Sequence, residues 1–296
     1  MRGKKAVLGI GDDCAILRIP AGHEALITTD FSLEGLHFRQ DWQSPECIGH
    51  RCLARGLSDI AAMGGRPIAT FLSLALPDGL PQRWVDRFFR GLLRLAEKYE
   101  LELAGGDTSQ SPAGVLADIT VLGSVAKGKA LRRSGARPGD RIYVTGALGE
   151  SAVALQLLRR KTIEKRDVFP EPRIAVGEWL VKNRIASACI DISDGLSTDL
   201  AHICEESGVG ALIEAERIPI HKAASRFANS LQLTLNGGED YELLFTSSSN
   251  KNVPNAIGKV AITRIGEISK ATQLMLIRNS KRERLISKGW EHFSNQ

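Results

Sequence analysis

The sequence has no run approaching the roughly 18 consecutive apolar residues of a membrane-crossing helix. Its start, Met1-Arg2-Gly3-Lys4-Lys5, leads towards a Gly-Asp-Asp without the apolar stretch of a signal peptide, so a cytosolic chain is expected. Cysteine is scarce. The five present (Cys14, Cys47, Cys52, Cys189, Cys204) are odd in number and include no Cys-x-x-Cys, which argues against a disulfide framework and a zinc site and predicts reduced, mostly buried thiols. Aromatic residues are few, at 5%, and the basic runs at 159–161 and 281–284 have little aromatic interleaving. The net charge of +5 therefore reads as solvated faces rather than a nucleic-acid surface. Also missing are the Walker Gly-x-x-x-x-Gly-Lys-Ser/Thr, the kinase glycine-rich loop with His-Arg-Asp, and a Gly-x-Gly-x-x-Gly in its required context. Nucleotide chemistry in this chain needs a different fold.

What is present, 43% hydrophobic and 25% charged residues over 296 positions, is the composition of an ordinary globular protein, long enough for two domains. Residues 24–29 predict a strand that delivers Asp30 at its C-terminal tip. Ser44-Pro45 supplies a cap and a first-turn proline for a helix running to about residue 63, stopped by Gly64-Gly65. A strand at 68–76 and a helix at 82–99 follow, the helix carrying Trp84, Phe88, Leu92 and Leu95 at core spacing. Residues 101–104 lead into Gly105-Gly106-Asp107-Thr108, and 116–125 alternate as a further strand. Apolar periodicity lapses at 127–140, which places a boundary between residues 1–129 and 130–296. The second part opens with a strand at 141–145 and a helix from about 151, then a basic, turn-like insertion near 159–172. A strand at 188–192, the turn Ser193-Asp194-Gly195, a helix at 196–206 ending at Gly208, and strands near 211–214 and 241–246 complete the alternation. Mixed α/β or α+β layers follow from it. No residue-level repeat relates the halves.

The distinctive acids are Asp12 and Asp13 after Gly11, Asp30 after Thr28-Thr29, Asp59, Asp107 after Gly105-Gly106, and Asp191 with Asp194. One such aspartate is uninformative, because Asp is a common turn and cap residue. The set is harder to dismiss, since most members follow a strand or sit in a tight turn. Asp59 stands apart: towards the C-terminal end of a predicted helix its charge opposes the macrodipole, so something should compensate it. Carboxylates about 4 Å apart would repel by roughly 4 kcal/mol at an effective dielectric near 20, so converging acids demand cations. Hard oxygen ligands select Mg²⁺ or Ca²⁺. Mg²⁺ shared between carboxylates, water and phosphate is the usual arrangement of nucleotide chemistry, which makes phosphoryl transfer the expected reaction.

Seven segments carry a resemblance that spans nearly the whole chain: Gly9-Ile10-Gly11-Asp12-Asp13, Thr28-Thr29-Asp30, Leu57-Ser58-Asp59-Ile60-Ala61-Ala62-Met63-Gly64, Gly105-Gly106-Asp107-Thr108, Arg133-Ser134-Gly135-Ala136, Asp191-Ile192-Ser193-Asp194-Gly195-Leu196 and Gly237-Gly238-Glu239-Asp240-Tyr241-Glu242-Leu243. In this order they resemble the thiamine-monophosphate kinase family, of the aminoimidazole ribonucleotide synthetase-like superfamily. Gly-Asp-Asp alone recurs in selenophosphate synthetase; Gly-Gly-Glu-Asp-Tyr-Glu-Leu is the specific part. The resemblance implies an α+β fold of two αβ domains, with mixed sheets packed by helices and homodimerisation through the N-terminal domain. It implies ATP as co-substrate, several Mg²⁺ ions, and phosphorylation of thiamine monophosphate to thiamine diphosphate in the cytoplasm, with no nucleic-acid or membrane partner.

Carried over by position, the resemblance implies a metal site of Asp13, Thr28, Asp30, Asp59, Asp107, Asp191 and Asp194, with Thr29 a supporting neighbour. Gly106, Asp107, Arg133 and Ser193 would touch ATP, while His37, Glu239 and Trp290 would face the thiamine phosphate. Asp107, Arg133 and Asp194 would carry the catalysis. The bland alternatives are a loop histidine at 37, a surface cation at 133 and a core tryptophan at 290. Selenophosphate synthetase finds no support, because no reactive Cys with a Lys lies upstream, and intact acids argue against a non-catalytic nucleotide- or nucleic-acid-binding protein. Family members usually carry more chain before the first motif than the eight residues ahead of Gly9 here.

Overall fold

The computed structural model describes residues 6–290, which form two units, each with its own sheet and helices. Unit 1 holds the described residues up to Ile60 together with Gly65–Lys129 and Leu157–Pro172; unit 2 holds Ala61–Gly64, Ala130–Gln156 and the chain from Arg173 onward.

Unit 1 opens with a hairpin of β1 (Ala6–Leu8) and β2 (Ile16–Leu17), whose loop carries Gly9 to Asp13. Four longer strands, β3 (His23–Leu33), β4 (Arg66–Pro77), β5 (Glu102–Ser111) and β6 (Leu116–Ala126), assemble in the order β3-β6-β4-β5. Every pair is antiparallel except β4 with β5. Helix α1 (Pro45–Ala62) starts where the Ser44 hydroxyl accepts the Cys47 N–H at 3.2 Å, and it stops where the Gly65 N–H reaches the Ile60 carbonyl at 2.9 Å. Helix α2 (Gln82–Lys98) buries Trp84, Phe88, Leu92 and Leu95, the stripe the spacing predicts. Full burial of Phe88 and of Leu92 contributes about 1.5–3 kcal/mol each over an exposed position.

Two strands run further than the sequence suggests. Asp30 lies inside β3, not at its tip, because β3 pairs with β6 without a break from His23↔Ala126 to Leu33↔Leu116. Gly105-Gly106-Asp107-Thr108, expected to follow a strand, is itself the middle of β5, carried through by parallel pairing of Gly106 with Leu72 and Asp107 with Ser73.

Residues 166–172 fall in the basic insertion, yet they pack within unit 1 as an extended strap. Arg166 N–H donates to the Trp42 carbonyl at 2.9 Å, and the Ser44 N–H donates to Asp167 Oδ1 at 2.8 Å. The Val168 carbonyl accepts from Cys47 Sγ and Arg51 Nη1, both at 3.3 Å, and the Pro170 carbonyl from His50 Nε2 at 2.8 Å. Tyr99 closes the strap by donating to Glu171 and, at 2.7 Å, to the Pro172 carbonyl.

Unit 2 is built on β7 (Arg141–Thr145), β8 (Ala188–Asp191), β9 (Gly210–Glu214), β10 (Leu243–Ser247), β11 (Ala256–Ile257), β12 (Val260–Ser269), β13 (Leu274–Arg278) and β14 (Lys281–Arg284). Their order is β14-β13-β9-β12-β7-β10-β8, with β11 beside β12 and β13–β9 the parallel pair. Helices α3 (Glu150–Arg159), α4 (Ile174–Lys182), α5 (Leu196–Ser207) and α6 (Ser230–Asn236) complete the unit. Its core runs from Ile142 and Val144 on β7 through Ile190 on β8 to Leu196, Leu200 and Ile203 on α5. Each main sheet thus mixes parallel and antiparallel pairs, the α+β arrangement expected. Of the cysteines, all free, only Cys14 is exposed; burial pushes the thiols of Cys47, Cys52 and Cys204 up to about 12, so they stay protonated.

Candidate active site

In unit 1 the acids stand on different elements. Thr28 and Asp30, two apart on β3, share one face of the strand, and there the Thr28 hydroxyl donates to the carboxylate of Asp59. Asp59 sits in the last turn of α1, which has no basic residue, so its charge adds to the negative end of the helix as the sequence predicts. Thr29 faces the other way, its hydroxyl donating to Asp118 on β6 at 2.7 Å. Strand alternation therefore separates the Thr29 hydroxyl from Thr28 and Asp30, and a Thr29 contribution on their face would come from its backbone.

Asp107 is exposed on β5, where its Oδ1 accepts the Thr108 N–H at 2.8 Å. Gly106 beside it has φ 146°, and a Cβ there would lie 2.0 Å from the Leu72 carbonyl oxygen, so neighbouring β4 alone demands glycine. Asp12 and Asp13 are exposed in the β1–β2 loop, where Asp12 Oδ1 accepts the Asp13 N–H at 2.9 Å. His37 lies in the loop after β3. Its Nδ1 accepts the Leu33 N–H at 3.0 Å, so the neutral ring carries its proton on Nε2.

In unit 2 the named residues other than Arg133 gather at one turn. Asp191 ends β8 and is 3% exposed; Ser193-Asp194-Gly195 then turns into α5. The Ser193 carbonyl accepts the Glu239 N–H at 2.8 Å, and the Asp194 carbonyl accepts the Trp290 N–H at 3.0 Å. Glu239 and Trp290, more than fifty residues apart in sequence, are thereby both tied to this turn, and both are half-buried. Arg133 is exposed, while its backbone is fixed through Ser207, whose Oγ donates to the Arg133 carbonyl at 3.3 Å and accepts the N–H groups of Gly135 and Ala136 at 3.2 Å each.

Sequence reasoning missed Asp118 and Asp199. Asp199, 1% exposed in the first turn of α5, accepts the N–H groups of Asp194 at 3.2 Å and Gly195 at 3.0 Å. The signal was available: an acid in the first turn of a helix, five residues after Asp194. Burial, with repulsion from Asp191 and Asp194 added, pushes the Asp199 carboxyl up to about 8. Ligand atoms of Asp194, Asp199 and His202 lie within 4.8 Å of one another. Hard oxygens dominate the named set in both units, and Asp191, Asp194 and Asp199 stand close enough for their charges to repel, which a divalent cation would relieve. The residues present fit Mg²⁺.

Two units, each a mixed sheet packed by helices, agree with the AIR synthase-related class, in which the family matches place the chain. The family described as AIR synthase related protein, N-terminal domain, matches residues 11–125, and AIR synthase related protein, C-terminal domain, matches residues 137–277. Thiamine-monophosphate kinase of Escherichia coli (strain K12) is 39% identical over 305 residues, covering 97% of this chain and 92% of that one. The structure of thiamine-monophosphate kinase from Stenotrophomonas maltophilia K279a superposes with a TM-score of 0.84 at 34% identity, covering 92% of this chain and 91% of that one. That of AaThiL complexed with AMPPCP and TMP gives 0.82 at 31% identity, covering 93% and 89%. The chain belongs to the thiamine-monophosphate kinase family.

Proposed function

We propose that this protein transfers the γ-phosphoryl group of ATP to thiamine monophosphate, giving thiamine diphosphate and ADP by direct in-line displacement. The observation that carries the reading is the turn at Ser193-Asp194, to which Asp191, Glu239 and Trp290 are joined, in a chain of this family. The acceptor phosphate is already anionic at neutral pH, so an oxygen of thiamine monophosphate can attack the γ-phosphorus without a general base. One P–O bond forms as the bond to the β–γ bridging oxygen breaks, and ADP leaves with that electron pair. What remains for the side chains is alignment and neutralisation of charge.

Asp13, Thr28, Thr29, Asp30, Asp59, Asp107, Asp191 and Asp194 would hold the Mg²⁺ ions, which when bound neutralise the phosphate charge. Gly106 and Ser193 would border the nucleotide, and the planar fork of Arg133 suits bidentate contact with its phosphates. His37, Glu239 and Trp290 would receive the thiamine phosphate. A coupled assay with ATP, Mg²⁺ and thiamine monophosphate tests the activity. In a single turnover with γ-labelled ATP, label should pass straight to thiamine diphosphate; label left on the protein would overturn direct transfer.

A homodimer through unit 1 is part of the same reading. Ile27 and Phe31 alternate outward on β3, 70% and 54% exposed, on the face away from Thr28 and Asp59, where an apolar pair in water marks a surface to be covered. Wild-type protein should sediment as a dimer, and the Ile27→Asp, Phe31→Asp double variant as a folded monomer. A wild-type monomer at micromolar concentration would rule this surface out. No helix among the described residues is long and apolar enough to cross a membrane, and we place the reaction in the cytoplasm, with its ATP.

A further inference from the structure

Glu239 and Tyr241 both adopt left-handed backbone, φ 61° and 52°, although neither is glycine. Such residues cost of order 1–3 kcal/mol each and persist only where the surroundings over-determine them. The residue between them, Asp240, turns inward and is 9% exposed. Its Oδ2 accepts the Gly149 N–H at 2.7 Å and its Oδ1 the Ser151 N–H at 3.5 Å, at the start of α3, where unsatisfied N–H groups and the helix dipole favour a carboxylate. The Ser151 hydroxyl completes the ring by donating to the Glu239 carbonyl at 2.9 Å.

The other edge of this turn is sewn to the acidic turn. Beside the Glu239–Ser193 bond, the Tyr241 N–H donates to the Ile192 carbonyl at 3.0 Å, and the Ile192 N–H donates to the Glu242 carbonyl at 2.7 Å. Gly238 approaches so closely that a Cβ would stand 2.3 Å from the Ser193 carbonyl oxygen. Backbone bonds thus hold one side of the Glu239 turn, and the Asp240 side chain holds the other.

We propose that Asp240 is a positioning residue: anchored on the N-terminus of α3, it locks the left-handed pair that presents Glu239 to thiamine monophosphate. This rests on Glu239 being a substrate contact, as the proposed function has it. Both oxygens of the Asp240 carboxylate accept N–H groups at the start of α3.

The test compares Asp240→Ala, Asp240→Asn, Ser151→Ala, Glu239→Gln and the Glu239→Gln, Asp240→Ala double variant. Asp240→Ala should raise the KM for thiamine monophosphate at least about tenfold and leave the KM for ATP within about twofold, because it displaces one contact and not the nucleotide. Asp240→Asn, whose amide oxygen can still accept the Gly149 N–H, should recover most of the loss. Ser151→Ala should shift the same KM in the same direction by about threefold, and it carries the test if Asp240→Ala does not fold. In the double variant the KM should be no worse than in Glu239→Gln alone, since a displaced contact and an absent one are the same loss. Unchanged substrate KM in folded Asp240→Ala, or in Ser151→Ala should the former not fold, overturns the proposal. So do effects of Asp240→Ala and Glu239→Gln that multiply, or equal rises in both KM values. A wild-type enzyme that makes no thiamine diphosphate overturns the functional reading as well, which an active wild type with an unresponsive Asp240→Ala leaves standing.

Discussion

Asp107→Asn is expected to lower the turnover of thiamine diphosphate formation by at least about 10³-fold, some 4 kcal/mol of transition-state stabilisation, while the melting temperature stays within a degree or two. The two halves of that expectation have separate causes. Asp107 is exposed on β5, and the bond its Oδ1 accepts from the Thr108 N–H is one an Asn oxygen can also accept, so the fold should lose little. The charge is what changes: an amide oxygen is a far poorer ligand for a hard divalent cation than a carboxylate. The assay should therefore show most of the loss in kcat, with partial recovery at raised Mg²⁺. A variant turning over within tenfold of wild type would remove Asp107 from the catalytic set.

The largest expected effect on stability is at Glu242→Ala. Glu242 is 3% exposed, and its carboxylate accepts a bidentate pair from the Arg173 guanidinium, Nε to Oε2 at 2.6 Å and Nη2 to Oε1, and a bond from the Thr145 hydroxyl. Thr145 in turn accepts the Leu243 N–H at 2.8 Å, so one carboxylate orders the entry into β10. Removing it takes from Arg173, whose side chain is only 19% exposed, the acceptor of two of its N–H donors. Breaking a buried pair from one side costs about 3–5 kcal/mol, which corresponds to a fall in melting temperature of roughly 10 °C. Replacing both partners, Arg173→Met with Glu242→Leu, should recover much of that loss, because desolvation of the two charges offsets most of their attraction. Calorimetry on the three variants separates the cases, and a single Glu242→Ala that melts with the wild type would show the pair to be dispensable.

Helices α1 and α2 were legible because their signals are local: Ser44-Pro45 at one start, Gly64-Gly65 at one stop, and an apolar stripe from Trp84 to Leu95. The extents of β3 and β5 were not, because pairing with partners far along the chain carries both strands through residues such as Asp30, Gly105 and Gly106 that favour turns in isolation. Helices α4 and α6 were missed because nine and seven residues are too few for an apolar stripe to repeat. Within the candidate site the limit was of another kind. Asp194, Asp199 and Asp240 are the same letter, and their roles part only according to what surrounds each carboxylate: Asp199 and His202 beside half-buried Asp194, the N–H groups of Asp194 and Gly195 on Asp199, and the start of α3 on Asp240. Thr28 and Thr29, adjacent in the motif, are parted by strand alternation, a distinction the period of two already supplies within the expected strand at 24–29.

The strap at 166–172 has a consequence for how the gene can be divided. Much of its hold on α1 and on Tyr99 comes from main-chain carbonyls, those of Val168, Pro170 and Pro172, so it depends on the path of the chain more than on which side chains occupy it. Yet it is encoded between segments that belong to unit 2, and the chain re-enters that unit at Arg173. A reading frame cut after Lys129 would yield an N-terminal fragment in which Cys47 and Arg51 lose the Val168 carbonyl and His50 that of Pro170, and a C-terminal fragment trailing a loop made for another body. Exchange of halves between relatives is likewise not a matter of one junction: a viable chimaera must bring each strap together with the helix it was built against.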